Sequence, residues 1–306
     1  MKYFWTNTIW YIILGIASII ELTFGIINNK RKKLLLGLFI SIVGVTVMCE
    51  IIIMADFKSY SYYPKILPES WQHFKLPHAE YYWHNESIIG NYFSQVSVSA
   101  TAILLAARNL KFYWYVISIV LYCLVEELFL YLGIYSHNWY RTWMTFVGLI
   151  ILFGVTKLIY MKSLKGNGRV LNFIYILFGL LGLNWFTSPG WFMYLFGVQT
   201  LTANLFSTPS ANAASMYAGL TFLQGSIAMT TYFLKPKWWW YIIVSGFLFL
   251  QHYLLYIFNF NVFKYWWGFG VFSTTWIMGT WLQIYILDKL YDGTNKKSFR
   301  YAKWNR

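Results

Sequence analysis

The chain is dominated by long apolar stretches that are separated by short polar segments. Apolar stretches of about 20 residues recur along its whole length, and a helix of that length crosses the ~30 Å hydrocarbon core of a bilayer. Nothing in the sequence alternates apolar and polar residues with a period of two, as a membrane β-barrel would. The pattern therefore predicts an all-α fold: a polytopic bundle of transmembrane helices that forms a single integral membrane domain over residues 1–306.

The apolar stretches predict nine transmembrane helices. A tenth apolar stretch, 190–206, is short and carries Gln199, Thr200, Thr202 and Asn204. The nine predicted spans are 8–28, 34–56, 88–107, 112–133, 139–161, 170–188, 213–234, 238–259 and 267–287.

The basic residues indicate how these spans are oriented. If 190–206 does not cross and the N-terminus is outside, 18 of the 24 Lys and Arg lie on the cytoplasmic side, but if it crosses, only 11 do. Positive residues are enriched in cytoplasmic loops. We therefore predict nine crossings, with the N-terminus outside, the C-terminus in the cytoplasm, and 190–206 re-entrant or interfacial. Residues 57–87 then form an extracytoplasmic loop and 288–306 a basic cytoplasmic tail.

The net charge of +14 fits the same interpretation. In a soluble protein it would suggest a nucleic-acid partner. Here the basic residues cluster in short loops, where they set topology and contact anionic lipid headgroups. We therefore expect the lipid bilayer, and no nucleic acid, as a partner. The two cysteines, Cys49 and Cys123, both fall in predicted spans and suggest no disulfide framework.

Two pairs of segments resemble each other in sequence. FSQVSVSAT at 93–101 matches FLQGSIAMT at 222–230, with Phe, Gln, Ser and Thr in register. The segment 111–132 aligns with 237–258 without a gap. Biased composition is one explanation, because apolar helices rich in aromatic residues match each other by chance. Two matches in the same order favour an internal repeat.

The predicted repeat is a three-helix unit that occurs at 88–161 and again at 215–287. Both copies place their basic turn between the first and second helix, so both copies face the same way. The repeat is therefore predicted to be parallel, about an axis close to the membrane normal.

A few polar side chains interrupt the apolar stretches. A charged side chain at the bilayer centre costs ~2.5–3.5 kcal/mol, so such residues face the bundle interior and have a partner. At a rise of 1.5 Å per residue, most of these side chains lie at a similar depth below the outer surface. We predict that a polar layer for ligand binding consists of Glu50, Gln95, Glu126, Glu127, Gln224 and His252.

Glu126 and His252 occupy equivalent positions of the predicted repeat. Adjacent helical residues point about 100° apart, so Glu126 and Glu127 do not both face one pocket. We expect Glu126 to face inward, because its repeat partner is also ionisable, and Glu127 to reach a neighbouring helix. A buried carboxylate near a histidine can exchange protons near neutral pH. The alternative is a hydrogen-bond network that fixes helix packing, which we favour for the two glutamines. No two ionisable residues have metal-ligand spacing on one helix, and neither a metal nor another cofactor is predicted.

The segment EELFLYLGIYSHNWYRTWMT resembles a stretch in an uncharacterised family of multi-pass membrane proteins from spore-forming Gram-positive bacteria. The shared pattern is an intramembrane glutamate and then a segment that opens the next helix, carried here by Glu126, Gly133, Tyr135, His137 and Trp139. The resemblance covers at most 88–161. It implies a protein of the bacterial plasma membrane and carries no known activity.

The pair Glu126-Glu127 is also similar to the first motif of the CAAX-protease and bacteriocin-processing family, two glutamates followed by an arginine. That family uses such glutamates, with histidines on other helices, to activate water. Here the arginine position holds Leu130 or Tyr131, and the F-x-x-x-H helix of the family is missing. His252 is the histidine that such a site would use.

Three functions follow from these observations. The first is a transporter-like or ligand-binding protein whose polar site lies in the outer half of the bilayer, between the two repeat units. The second is a non-catalytic module that binds or stabilises another membrane protein. The third is a glutamate-dependent intramembrane hydrolase. We favour the first, which takes a small-molecule ligand and requires no enzymatic activity.

Overall fold

The apolar segments form helices because a helix satisfies its own backbone hydrogen bonds in a medium without water. The computed structural model describes residues 3–27, 29–66, 85–188, 193, 196–202 and 209–291. Within these residues there are nine long helices: α1 Ile9–Ile26, α2 Lys32–Glu50, α3 Asn85–Ala107, α4 Phe112–Tyr131, α5 Thr142–Lys165, α6 Arg169–Thr187, α7 Pro209–Leu234, α8 Trp239–Ile257 and α9 Gly268–Tyr291. Short π-helical turns, Phe4–Thr8 and Ile51–Asp56, precede α1 and extend α2.

Seven of these helices are long and apolar enough to cross a membrane, which agrees with a helical protein embedded in a bilayer. α7 and α9 have the length but are less apolar. The seven candidate spans are Phe4–Ile26, Lys32–Met54, Glu86–Ala107, Phe112–Tyr131, Thr142–Lys165, Val170–Thr187 and Trp239–Ile257.

Two short pairs of antiparallel strands join the helices at one end of the bundle. Two helices separate the strands of each pair along the chain, and the pairs are called here the first and the second hairpin. β1 Tyr60–Tyr62 pairs with β2 Tyr135–His137, and β3 Gln199–Leu201 pairs with β4 Asn261–Phe263. The sequence analysis did not predict these four strands, each of which is three residues long. YSY and YSH do alternate, but over three residues the pattern is too short to stand out from the surrounding aromatic sequence.

Three predicted segments lie partly outside the described residues. The loop 57–87 is described up to residue 66 and again from residue 85, and the tail 288–306 up to Tyr291. The stretch 190–206 is described at 193 and 196–202, where it contains β3. Its Gln199 and Thr200 belong to this strand rather than to a helix.

Helices α2 and α6 run parallel in the centre of the bundle with their backbones in contact. A Cβ on Gly44 would lie 1.8 Å from the carbonyl oxygen of Phe178, and a Cβ on Gly182 would lie 2.3 Å from that of Ile40. Small residues allow this close approach in membrane helix pairs. The contact is reciprocal, since each glycine meets the carbonyl four residues before the other glycine. One turn earlier, Ser41 Oγ donates a 2.7 Å hydrogen bond to the Tyr175 carbonyl.

The parallel α2 and α6 bring both hairpins to the same end of the molecule, called here the hairpin end. β1 follows α2, and β3 follows α6. α7 begins at this end too, because Ser215 Oγ donates a 2.8 Å hydrogen bond to Asp56, which ends the π-helical turn after α2. Of the 17 Lys and Arg among the described residues, 13 lie toward the opposite end, and the exceptions are Lys58, Lys65, Arg141 and Lys264.

The same order of elements occurs in both halves of the chain. The first half, α1–α5, contains β1-α3-α4-β2-α5, and the second half, α6–α9, contains β3-α7-α8-β4-α9. Backbone conformation agrees in detail. Gly133 after α4 (φ +66°) corresponds to Asn259 after α8 (φ +57°). Asn109 after α3 (φ +46°) corresponds to Lys235 after α7 (φ +48°).

Replacing Gly44 with alanine tests the α2–α6 contact. Because the new methyl group overlaps the Phe178 carbonyl, we expect Gly44→Ala to lower the free energy of unfolding in detergent by about 1–3 kcal/mol. Gly154→Ala is the matched control, since a Cβ there meets nothing within 4 Å and alanine favours the helix. Equal unfolding free energies for the two variants would contradict the contact.

Candidate functional site

A cavity of about 410 Å³ lies within the first half of the molecule. Every one of the first five helices, together with both strands of the first hairpin, contributes to its wall. This volume falls in the range of small-molecule sites. Carboxylates and tyrosines line the part nearest the hairpin end, namely Glu50, Glu126, Tyr60, Tyr62, Tyr135 and Tyr140.

The other part of the cavity is apolar. Val45, Leu152, Val155 and Ile159 are among its lining residues. On α5 alone the lining runs from Thr145 to Ile159, which corresponds to about 21 Å along the helix axis. The cavity is therefore elongated, with a polar part near the hairpin end and an apolar part towards the basic end of the bundle.

The first hairpin places its ring side chains on one face. Successive strand residues point to opposite faces, and paired residues point to the same one. Tyr60 pairs with His137 and Tyr62 with Tyr135, so these four rings share a face. Gly133 starts the return of the chain, because its positive φ ends α4 in a left-handed turn that favours glycine.

The partners of Glu126 lie on the two elements that follow α4, namely β2 and α5. Nε2 of His137 lies 2.8 Å from Oε1 of Glu126, and the side chains are 11% and 10% exposed. The hydroxyl of Thr145, on α5, donates to Oε2. A nearly buried carboxylate in a bundle needs such partners, and here they come from β2 and from α5.

Glu50 faces the same cavity from α2 but has no cationic partner among the described residues. Asn91 Nδ2 donates to its Oε2 at 3.5 Å, and Tyr60 and Gln95 lie in hydrogen-bonding reach. The two carboxyl groups, Glu50 and Glu126, are close enough for their charges to interact. Gln95 thus belongs to the cavity, in addition to any role in packing.

The tyrosines at the polar part form one aromatic cluster. The ring centroid of Tyr60 lies 5.7 Å from that of Tyr62, 5.4 Å from Tyr135 and 4.8 Å from Tyr140. Burial raises the pKa of Tyr60, Tyr62 and Tyr135 well above the usual value of a phenol, and nearby Glu50 adds to the shift. These rings are therefore neutral, with intact π faces and O–H donors.

Glu127 lies next to Glu126 but points away from the cavity. It is exposed, it does not line the cavity, and it accepts a hydrogen bond from Thr142 at the start of α5. The structure thus separates the adjacent glutamates, with Glu126 inside and Glu127 bonded to a neighbouring helix.

Gln224 and His252 lie in the second half, away from the cavity. His252 is fully buried, and neither ring nitrogen has a hydrogen-bond partner among the described residues. Its ring contacts those of Phe272 and Trp276, at 5.1 and 6.0 Å. Gln224 donates to Gln251 at 3.1 Å. The structure therefore does not bring His252 to Glu126. The hydrolase hypothesis used His252 as the histidine beside Glu126, and that contact is not formed.

The large cavity does not occupy the position that we predicted for the site, between the repeat units 88–161 and 215–287. Where Ile51 of the first half meets Trp185, Tyr217 and Trp276 of the second, the described residues leave a void of only about 10 Å³. The large cavity lies inside the first half instead. In the second hairpin the positions of the four inward rings hold Gln199, Leu201, Asn261 and Phe263.

A row of hydrogen-bonded polar side chains leads from the middle of the cavity to α1. The hydroxyl of Tyr122, a lining residue, lies 2.7 Å from Ser97 Oγ and 2.8 Å from Thr101 Oγ1. Thr101 in turn donates to Glu21 on α1. The hydroxyl groups of Thr101 and Tyr122 thus connect Glu21 to the cavity.

Sequence reasoning did not assign His137 and the tyrosines to the site. His137 and Tyr135 did appear in the LGIYSHNW segment that carries the family resemblance, without a role. The signal that would have found them is the alternation in YSY and YSH, which places one class of side chain on one face. Only the pairing of β1 with β2 shows that these faces meet over Glu126.

Searches of protein-family models, of curated proteins and of solved structures find no match to this chain.

A double-mutant cycle tests whether His137 holds Glu126. We expect Glu126→Gln and His137→Asn to couple by about 0.5–3 kcal/mol in unfolding free energy, because the residues are in direct contact. Glu127→Gln combined with His137→Asn is the control, and its coupling should be near zero. Couplings of the same size in both cycles would show that the Glu126–His137 contact is absent in solution.

Proposed function

We propose that this chain is a transporter-like or ligand-binding membrane protein that takes a small molecule into the cavity of its first half. The observation that carries the proposal is a 410 Å³ cavity whose polar side chains converge near the hairpin end. Sites of this kind are mostly apolar, with a few placed polar groups that orient the ligand. The polar part lies in the outer half of the bilayer if the hairpin end faces outside.

A nine-span topology supports that orientation. The α6–α7 connection leaves from and returns to the hairpin end, as expected if it does not cross the bilayer. With alternating helices, all nine then cross, including the less apolar α7 and α9. The opposite end, which carries most of the basic residues, is cytoplasmic by the positive-inside rule. We place the protein in the bacterial plasma membrane with its N-terminus outside.

The repeated order of elements supports an internal duplication with parallel copies. Corresponding left-handed residues and the reciprocal glycine contact of α2 with α6 are what a duplicated unit would produce. The copies have diverged in their polar residues. The position of Glu126 holds His252 in the second copy, which is packed among aromatic rings. We assign ligand binding to the first copy and a structural role to the second.

Reporter fusions test the topology. We expect alkaline phosphatase fused after Arg141 and after Lys264 to be active, and fusions after Arg108 and after Lys235 to be inactive. The first pair lies at the hairpin end and the second at the opposite end. If the α6–α7 connection crosses, the Lys235 and Lys264 fusions exchange behaviour while the Arg108 and Arg141 fusions do not, which would contradict nine spans.

Substitutions at two glycines on α5 test whether a small molecule binds in the cavity. Gly148 lines it and Gly154 does not, and a Cβ on either meets nothing within 4 Å. We expect a diazirine-bearing octanol to photolabel residues of the cavity wall. Gly148→Phe should reduce that labelling severalfold because the ring occupies the cavity, whereas Gly154→Phe should leave it unchanged. Labelling that ignores both substitutions, or that never reaches the cavity wall, would overturn the proposed site.

A further inference from the structure

We propose that the cavity selects an amphipathic organic cation, with an ammonium head group between Glu50 and Glu126 and an apolar tail along α5. The inference rests on the proposed function, because it names the ligand class for the same cavity. Three features of the wall support it independently: its charge, its aromatic rings and its apolar extension.

The wall carries two carboxylates, and Glu50 has no cationic partner among the described residues. Glu50 and Glu126 both line the cavity, and no lysine or arginine is among the described residues that do so. Glu126 has His137 as a partner, while the described partners of Glu50 are neutral amide and phenol groups. Buried carboxylates in a membrane bundle are normally paired with cations. A cationic head group would supply the missing charge and relieve the repulsion between the two carboxylates.

The aromatic rings suit an alkylated ammonium better than a bare metal ion. Tyr60, Tyr62, Tyr135 and Tyr140 line the same part of the cavity as the carboxylates, and tyrosine faces attract organic cations. Among the described residues, no group of three or more His, Cys, Asp or Glu is placed to hold a metal ion. The wall near the hairpin end therefore combines four tyrosine rings with only two carboxylates, a composition that suits an organic cation better than a metal ion.

The apolar extension defines the remainder of the ligand. Beyond the carboxylates, the wall continues through Val45 and Leu152 to Val155 and Ile159. A ligand with a charged head and no tail would leave this surface unfilled, and a ligand with a tail and no charge would leave Glu50 without a counter-charge. Anionic amphiphiles would meet two carboxylates at the polar part. The geometry thus favours a cation with an alkyl or aryl tail.

Competition for photolabelling provides the experiment. The full chain in nanodiscs of zwitterionic lipid is labelled with the diazirine-bearing octanol in the presence of octyltrimethylammonium, octanol or octyl sulfate. The measured quantity is the concentration of each competitor that halves labelling of the cavity wall. We expect this concentration to be at least tenfold lower for octyltrimethylammonium than for octanol, and higher for octyl sulfate than for either.

The variants assign the preference to particular carboxylates. Glu126→Gln and Glu50→Gln should each bring the octanol-to-cation ratio of half-protecting concentrations close to one. The adjacent Glu127→Gln is the control and should retain the wild-type ratio, because Glu127 does not line the cavity. Each ratio is taken within one variant, so it is independent of the amount of folded protein.

The outcomes separate this inference from the proposed function. A wild-type ratio near one, with labelling still lost in Gly148→Phe, would overturn the cation preference and leave the cavity as a binding site. A cation preference that is also lost in Glu127→Gln would show attraction to the surface charge of the molecule and overturn the inference. Absence of labelling in the cavity would overturn the proposed function. The wild-type ratio decides the question even where a glutamine variant does not fold.

Discussion

The arrangement of the first half depends on one constraint: a carboxylate on a membrane helix must have partners within the bundle. Glu126 is one turn from the end of α4, and its partners come from elements on both sides. His137 arrives through the Gly133 turn and the pairing of β2 with β1, and Thr145 arrives on α5. The hairpin that satisfies Glu126 also delivers Tyr60, Tyr62 and Tyr135 to the cavity. The pairing of β1 with β2 thus both supplies a partner for Glu126 and forms the polar part of the cavity.

The contact between α2 and α6 determines where open volume remains in the molecule. Because backbones touch at Gly44 and Gly182, the two halves meet closely in the centre, and little volume remains between them. The open volume lies instead inside the first half. In the second half, bulky rings surround His252, so corresponding elements produce a packed interior there. The two halves share the same order of elements, and among the described residues the large cavity lies in the first half.

The positions of the helices and the directions of neighbouring side chains on one helix could be predicted from the sequence. All nine apolar stretches coincide with helices, because twenty apolar residues leave the backbone few alternatives in a membrane. The rotation of 100° per residue also separated Glu126 from Glu127 correctly. Positions on one helix are local properties, and local properties can be read from sequence.

Contacts between distant elements could not be read in the same way. His137 reaches Glu126 only because β2 pairs with residues before α3, and three-residue strands leave almost no periodic signal. The alignment of Glu126 with His252 suggested a shared site, yet Glu126 lines the cavity whereas His252 packs among aromatic rings of the second half. The connection of Glu21 to the cavity likewise depends on Thr101 and Tyr122, which lie on two other helices.

Cys49 provides the most direct measurement of the central claim, that ligands bind beside Glu50 and Glu126. It precedes Glu50 and lines the cavity, whereas Cys123 does not. In a Cys123→Ser chain, the rate at which N-ethylmaleimide labels Cys49 reports access to this part of the wall. The account predicts that saturating octyltrimethylammonium slows this rate severalfold, and that Glu126→Gln removes the protection while Glu127→Gln retains it. A labelling rate that is the same with and without the cation would contradict the account.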